Sequence, residues 1–215
     1  MLVWRDGTKM LIDDGIVDKP PAQVLASPDL KDQFATPYNV GPQSAAPGEA
    51  VDPGRVRVDA FFRKIYGDCR KGGVAGSLVA VPWLPRHGGG TVRATSINGV
   101  AARLKEVSDE LDSLPDQFIS YLVPTAGVFS CRVIAGTERT SMHAYGAAID
   151  LNATHANYWR TANTDGAGHL VYQNAIPNEI VDIFERHGFI WGGKWYHYDT
   201  MHFEYRPELL AKQTQ

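Results

Sequence analysis

The sequence predicts an α+β fold: a small, mostly antiparallel sheet flanked by helices and preceded by an extended N-terminal arm. Three observations support it. Two segments carry apolar residues at helical spacing. Several short runs of β-branched and aromatic residues are bounded by turn-forming ones. Residues 1–57 are rich in Pro, Gly and Asp and hold too few apolar residues for a core of their own. The expected division is an arm over 1–57 that wraps one domain over 58–215. A chain of 215 residues suits one full-sized core.

Within the arm, SPDLKDQF reads as a short helix with Ser27 as N-cap and Pro28 at the first helical position. YNVGPQSAAPGEAVDPG reads as extended and turn-rich. VDAFFRKIYG reads as a helix stopped by Gly67. SLVAVPWL and TVRATSI read as strands joined by the loop PRHGGG. The clearest helix is expected to start at Asn98 as cap and to end at Pro115. Between them Val100, Leu104, Val107, Leu111 and Leu114 form one apolar stripe. GVFSCRVI reads as a strand, and PNEIVDIFERHG as a helix closed by Gly188. AAIDLN and MHFEYR read as further strands. In the second, Met201, Phe203 and Tyr205 are expected to face the core, with His202 and Glu204 on the other face and Glu204 solvated.

Composition excludes several roles. The net charge of −3 and the lack of a Lys/Arg run argue against nucleic acid or an anionic membrane as partner. No apolar stretch approaches membrane-spanning length. The first thirty residues hold no apolar signal-peptide core, so either the protein stays in the cytoplasm or a leader preceded this numbering. Cys69 and Cys131 can pair or stay free; they make neither a disulfide scaffold nor a Cys-based zinc site.

The stretch SMHAYGAAID places His143 seven residues before Asp150. Zinc holds such ligand atoms at about 2.0–2.2 Å, so two donors must lie close together. In a helix residues seven apart are separated by about 10 Å along the axis. In a strand they point to opposite faces, roughly 23 Å apart. Shared chelation therefore needs a bend, which Gly146 permits by tolerating positive φ. The small Ala148 beside Asp150 leaves room for a metal and a substrate. WYHYDTMHFEY supplies a third ligand in His202, and Asp199 three residues earlier as an acid/base. Three protein ligands leave a fourth position for water, as catalytic zinc requires. His197, close to Asp199, is the serious rival ligand, and a structural site would need His197 or Glu204 as a fourth ligand. The other histidines read as surface or structural.

RVIAGTERTSMHAYGAAIDLN matches the pattern S-x-H-x-x-G-x-A-x-D, with Ser141, His143, Gly146, Ala148 and Asp150 on pattern positions. DTMH supplies an acid three residues before a last histidine. Together, over residues 127–210, these motifs resemble the zinc peptidases of peptidoglycan stem peptides. That family comprises VanY-type D-Ala-D-Ala carboxypeptidases and related L-Ala-D-Glu endopeptidases. The resemblance implies the hedgehog/DD-peptidase fold, zinc held by His143, Asp150 and His202, and Asp199 as catalytic acid/base. It implies that Arg132, a buried guanidinium on the CRVIAGT strand, neutralises the substrate carbonyl oxygen or carboxylate. Ser141 is expected to hydrogen-bond within the site or to substrate. Tyr145 and Trp191, among the aromatics crowding both motifs, are expected to contact it. A peptidoglycan substrate implies a periplasmic or cell-wall location, given a removed leader. Carboxypeptidases of this family usually carry Glu at the base position, so Asp199 looks more like the endopeptidase branch. The rival readings are a zinc-containing binding module without hydrolysis and a structural zinc site.

Overall fold

The computed structural model describes residues 1–43, 47–48 and 51–210. The expected turn-rich arm falls partly on residues 44–46 and 49–50, which lie outside the described residues. The elements in order are β1 (Leu2–Val3), β2 (Lys9–Met10), α1 (Pro21–Ala26), α2 (Leu30–Ala35), α3 (Asp59–Tyr66), β3 (Leu78–Pro82) and β4 (Thr91–Thr95). There follow α4 (Val100–Leu111), α5 (Ile119–Leu122), β5 (Ala148–Asp150), α6 (Asn178–Arg186), β6 (Phe189–Trp191), β7 (His202–Tyr205) and α7 (Pro207–Leu210). Short 3-10 turns join many of them. The fold is α+β, and every strand pairing among the described residues is antiparallel.

The central sheet has the order β5-β7-β6. One of its faces is the main core. Ile149 and Phe203 lie opposite each other in the register, and Phe203 stacks on Phe184 of α6 at 3.9 Å. α4 adds Val100, Leu104, Val107 and Leu111, all buried, as the stripe requires. The β3–β4 hairpin closes the core with Val81, Val92 and Ala94. The other face carries the polar site.

Several boundaries differ from expectation for local reasons. The N-cap of α2 is Asp29, not Ser27. Its carboxylate accepts from the Asp32 N–H at 2.8 Å while the Asp32 carboxylate accepts from the Asp29 N–H at 3.1 Å, a reciprocal box that Ser27 cannot make. Ser27 instead ends α1. Asn98 does not cap α4, because it and Gly99 both have positive φ (56° and 77°) and the helix starts only at Val100. α4 also stops at Leu111, before Pro115. GVFSCRVI is not a strand. Its backbone bonds go to nearby loops: Ser130 N–H to His143 O at 3.1 Å, and Ile134 N–H to Arg139 O at 2.8 Å. Cys131 is also tied by a disulfide to Cys69, which resolves the open pairing. Met201 lies in the turn before β7 and lines the site cavity rather than the core. Glu204 is fully buried, not solvated. Ala148 faces Glu204 across the sheet, so it makes room for that carboxylate.

Candidate metal centre

Sheet register brings the first two donors together. Asp150 on β5 and His202 on β7 are direct cross-strand partners, and side chains so paired share a face with Cβ atoms about 4.5–5.5 Å apart. Their separation of 52 positions in sequence is irrelevant once the strands pair. His143 arrives from a 3-10 turn, Met142–Tyr145, whose N-terminus is capped by the Ser141 hydroxyl. Gly146 then reverses the chain at φ +67°. A Cβ there would lie 2.7 Å from Leu78 Cδ2 and 3.0 Å from the Thr95 nitrogen, so only glycine lets the bend sit against the β3–β4 hairpin.

The three donors converge. His143 Nε2 is 3.1 Å from His202 Nδ1 and 3.1 Å from Asp150 Oδ1; His202 Nδ1 is 2.9 Å from the same carboxylate oxygen. The far ring nitrogens are already engaged. His143 Nδ1 lies 2.6 Å from Val128 O, a carbonyl that only accepts, so that nitrogen donates and Nε2 keeps its lone pair. His202 Nε2 lies 3.1 Å from Glu204 Oε2 and donates to it. Two imidazole lone pairs and a carboxylate aimed at one point need a cation or a shared proton, and this donor set suits zinc. The rival ligands are otherwise occupied. His197 Nδ1 is held by Asp52 at 2.7 Å. Glu204 binds His202 from its far side, together with Arg57 at 3.3 Å and Arg206 at 3.0 Å. Asp13, Asp14 and Asp29 also lie close together, but Lys19 and Lys31 already neutralise them.

Burial opposes charge on His202, but its hydrogen bonds to Asp150 and Glu204 outweigh it and raise the imidazolium to about 10. Burial likewise opposes ionisation of Asp150, yet both histidines hold it well below the usual carboxylate range. The raised His202 value adds stability to the zinc-free protein that is complete below the unfolded value of about 6.5. That stability fades as pH rises through about 10. A metal ion that His202 ligates at neutral pH would therefore displace a proton. Calorimetric titration in two buffers of different ionisation enthalpy is expected to show about one proton released per ion at pH 7. A buffer-independent enthalpy would show that no His202 proton leaves on loading.

The triad opens into a cavity of about 270 Å³ lined also by Ser141, Asp199, Arg55, Arg57, Trp195 and Tyr158. Asp199 lines the same cavity as the triad. Burial raises its pKa, the nearby Asp150 adds to the rise, and His202 and Arg55 oppose it. Its Oδ1 is buried and has no hydrogen-bond partner. Arg132 reaches the cavity wall, but it is exposed and its segment is not a strand, so the expected buried guanidinium is corrected. Tyr145 and Trp191 do not line the cavity. Tyr145 packs on Phe62 and Tyr66, and the Trp191 indole N–H donates to Thr200 O, which places both in the core. Arg55 and Arg57 were not singled out by sequence. They lie in a Pro- and Gly-flanked arm, and only the fold brings them to the site.

Residues 135–205, about a third of the chain, match the sequence profile of a family described as D-alanyl-D-alanine carboxypeptidase. The matched segment contains the triad and Asp199 and bears out the resemblance to VanY-type peptidases. No curated protein and no solved structure matches the chain.

Proposed function

We propose that this protein is a zinc metallopeptidase that hydrolyses an amide bond in peptidoglycan stem peptides, on a hedgehog/DD-peptidase fold. The observation that carries the reading is the convergence of His143, Asp150 and His202 beside an unpartnered, buried Asp199 oxygen. The similarity of residues 135–205 to a carboxypeptidase family supports the substrate class.

His143, Asp150 and His202 would hold the ion. When bound, zinc supplies Lewis acidity, which polarises a carbonyl and lowers the pKa of water. The remaining chemistry belongs to the chain. Asp199 takes a proton from the attacking water at its free carboxylate oxygen and delivers it to the leaving amine as the C–N bond breaks. Ser141 holds the His143 turn in place through its hydroxyl. Glu204, clamped between Arg57 and Arg206, keeps the His202 ring oriented. The structural-zinc reading loses support because neither His197 nor Glu204 joins the donor set. A working location in the periplasm or cell wall fits this substrate, and the Cys69–Cys131 disulfide suits an oxidising compartment.

Defined muropeptides incubated with the zinc-loaded protein, with and without chelator, test the proposal by mass analysis of products. Chelator-sensitive loss of one D-Ala is the carboxypeptidase result, and cleavage after L-Ala the endopeptidase result. Intact muropeptides in every arm would leave the binding-module reading.

A further inference from the structure

The arm segment Asp52–Arg57 docks on the loop that precedes Asp199. The Tyr196 N–H donates to Val51 O at 2.7 Å, and Asp52, fully buried, accepts from the backbone N–H of His197 at 2.9 Å and engages its ring at 2.7 Å. Gly54 passes against the Trp195 ring, where a Cβ would lie only 2.0 Å from the indole. These contacts fix Arg55. Its Nε donates to His197 O at 2.7 Å, and its guanidinium lies 5.2 Å from the Trp195 ring centroid.

Arg55 differs from the other cavity arginines. Both terminal nitrogens of Arg57 are committed, one to Glu204 and one to Thr140 O, and only its inner Nε lacks a partner. Arg132 is exposed at the wall. Arg55 is held rigidly, yet its Nη2 is buried with no hydrogen-bond partner. Asp199 influences it electrostatically, but among the described residues no ion pair joins the two. A buried guanidinium N–H without a partner is costly, and a carboxylate satisfies it best through a charge-assisted, planar contact.

Building on the peptidase reading above, we infer that Arg55 binds a carboxylate of the peptide substrate, so that the N-terminal segment supplies a specificity group to the site. A stem peptide offers two such groups: its C-terminal carboxylate and the carboxylate of its acidic residue. Arg55 is a substrate-binding residue in this scheme, held in place by Asp52 and His197.

The test uses a synthetic stem pentapeptide and two neutralised forms, one with a C-terminal amide and one with the acidic residue amidated. Binding is measured calorimetrically on chelator-treated protein, and KM and kcat on zinc-loaded protein. The wild type is compared with Arg55→Gln and Arg55→Lys, with zinc content and thermal midpoint recorded for each. One neutralised peptide is expected to bind the wild type about 10- to 100-fold more weakly. The same peptide should bind Arg55→Gln no worse than the parent does, and Arg55→Lys should recover part of the loss. KM should rise far more than kcat falls. If neither neutralised peptide differs from the parent on the wild type, the inference is overturned, even should the variants not fold. An Arg55→Gln penalty equal for all three peptides also overturns it, because that marks a structural role. Carboxylate-dependent binding without hydrolysis would sink the peptidase reading and leave the Arg55 contact supported.

Discussion

Replacing Asp199 with Asn is expected to cut hydrolysis of a stem peptide by about 10²–10⁴-fold while zinc content stays at the wild-type level. The substitution keeps the side chain's shape and removes only its capacity to accept a proton. Asp199 lies outside the triad whose atoms converge, so ligation has no reason to change. Its Oδ1 makes no hydrogen bond that Asn would have to replace. Stability should therefore move little, or rise, because a buried carboxylate with a raised pKa gives way to a neutral amide. Parallel metal analysis, thermal midpoints and product mass spectra separate these effects. Wild type and variant equally active would remove Asp199 from the mechanism, and both equally inert would favour a zinc-bearing module that only binds. Asp199→Glu is a useful companion, since it moves the carboxylate by one methylene towards the residue that family carboxypeptidases usually carry.

Periodicity located the elements that bury a continuous face. The α4 stripe, the apolar face of α6 and the β3–β4 pair were legible because their side chains alternate or recur against one core. Boundaries were legible only where one residue decides them, as Gly67 does with φ +94° at the end of α3. They were misread where tertiary partners compete with local signals. Ser27 looks like a cap in isolation, but Asp29 and Asp32 make a better one. GVFSCRVI has strand-like residues, yet its amides bond to the His143 turn and to Arg139, and its Cys131 sulfur is tied to Cys69, sixty-two residues away.

The triad was legible because Gly146 is the one place between His143 and Asp150 where the chain can turn, and because the two motifs are specific. The surrounding shell was not. Arg55 and Arg57 carry no local pattern, and their relation to the site depends on how residues 51–57 dock against 195–198. Tyr145 and Trp191 misled for the opposite reason. Aromatics adjacent to a motif look like a groove, whereas here the His143 turn points Tyr145 inward against Phe62, and β6 points Trp191 inward against Phe203.

Glu204→Gln is expected to destabilise the protein by about 3–5 kcal/mol, the cost of breaking a buried ion pair by removing one partner. Alternation on β7 suggested a solvated glutamate, but the strand's polar face is covered by the arm. Glu204 is fully buried between Arg57 at 3.3 Å, Arg206 at 3.0 Å and His202 Nε2 at 3.1 Å. Three donors converge on its two oxygens. A glutamine has one acceptor oxygen, and its NH2 must then face another donor, leaving a buried cation or the imidazole N–H unpaired. Arg57 keeps Thr140 O and Arg206 keeps Glu208, so the loss is partial at each. Burial resists ionisation of Glu204, but Arg57, His202 and Arg206 hold its carboxyl down at about 2. Its contribution is therefore complete above the ordinary value near 4.5 and is lost as pH falls through about 2. Acid unfolding of the wild type should carry this dependence, and the variant should lack it. Because the same carboxylate orients the His202 ring, zinc affinity should fall about 10- to 100-fold. Denaturant midpoints and zinc titrations on the same samples separate the two effects. A variant within 1 kcal/mol of wild type by the first (about a fifth of its folded/unfolded ratio) and unchanged by the second would mean that Arg57 and Arg206 are held by something other than this charge.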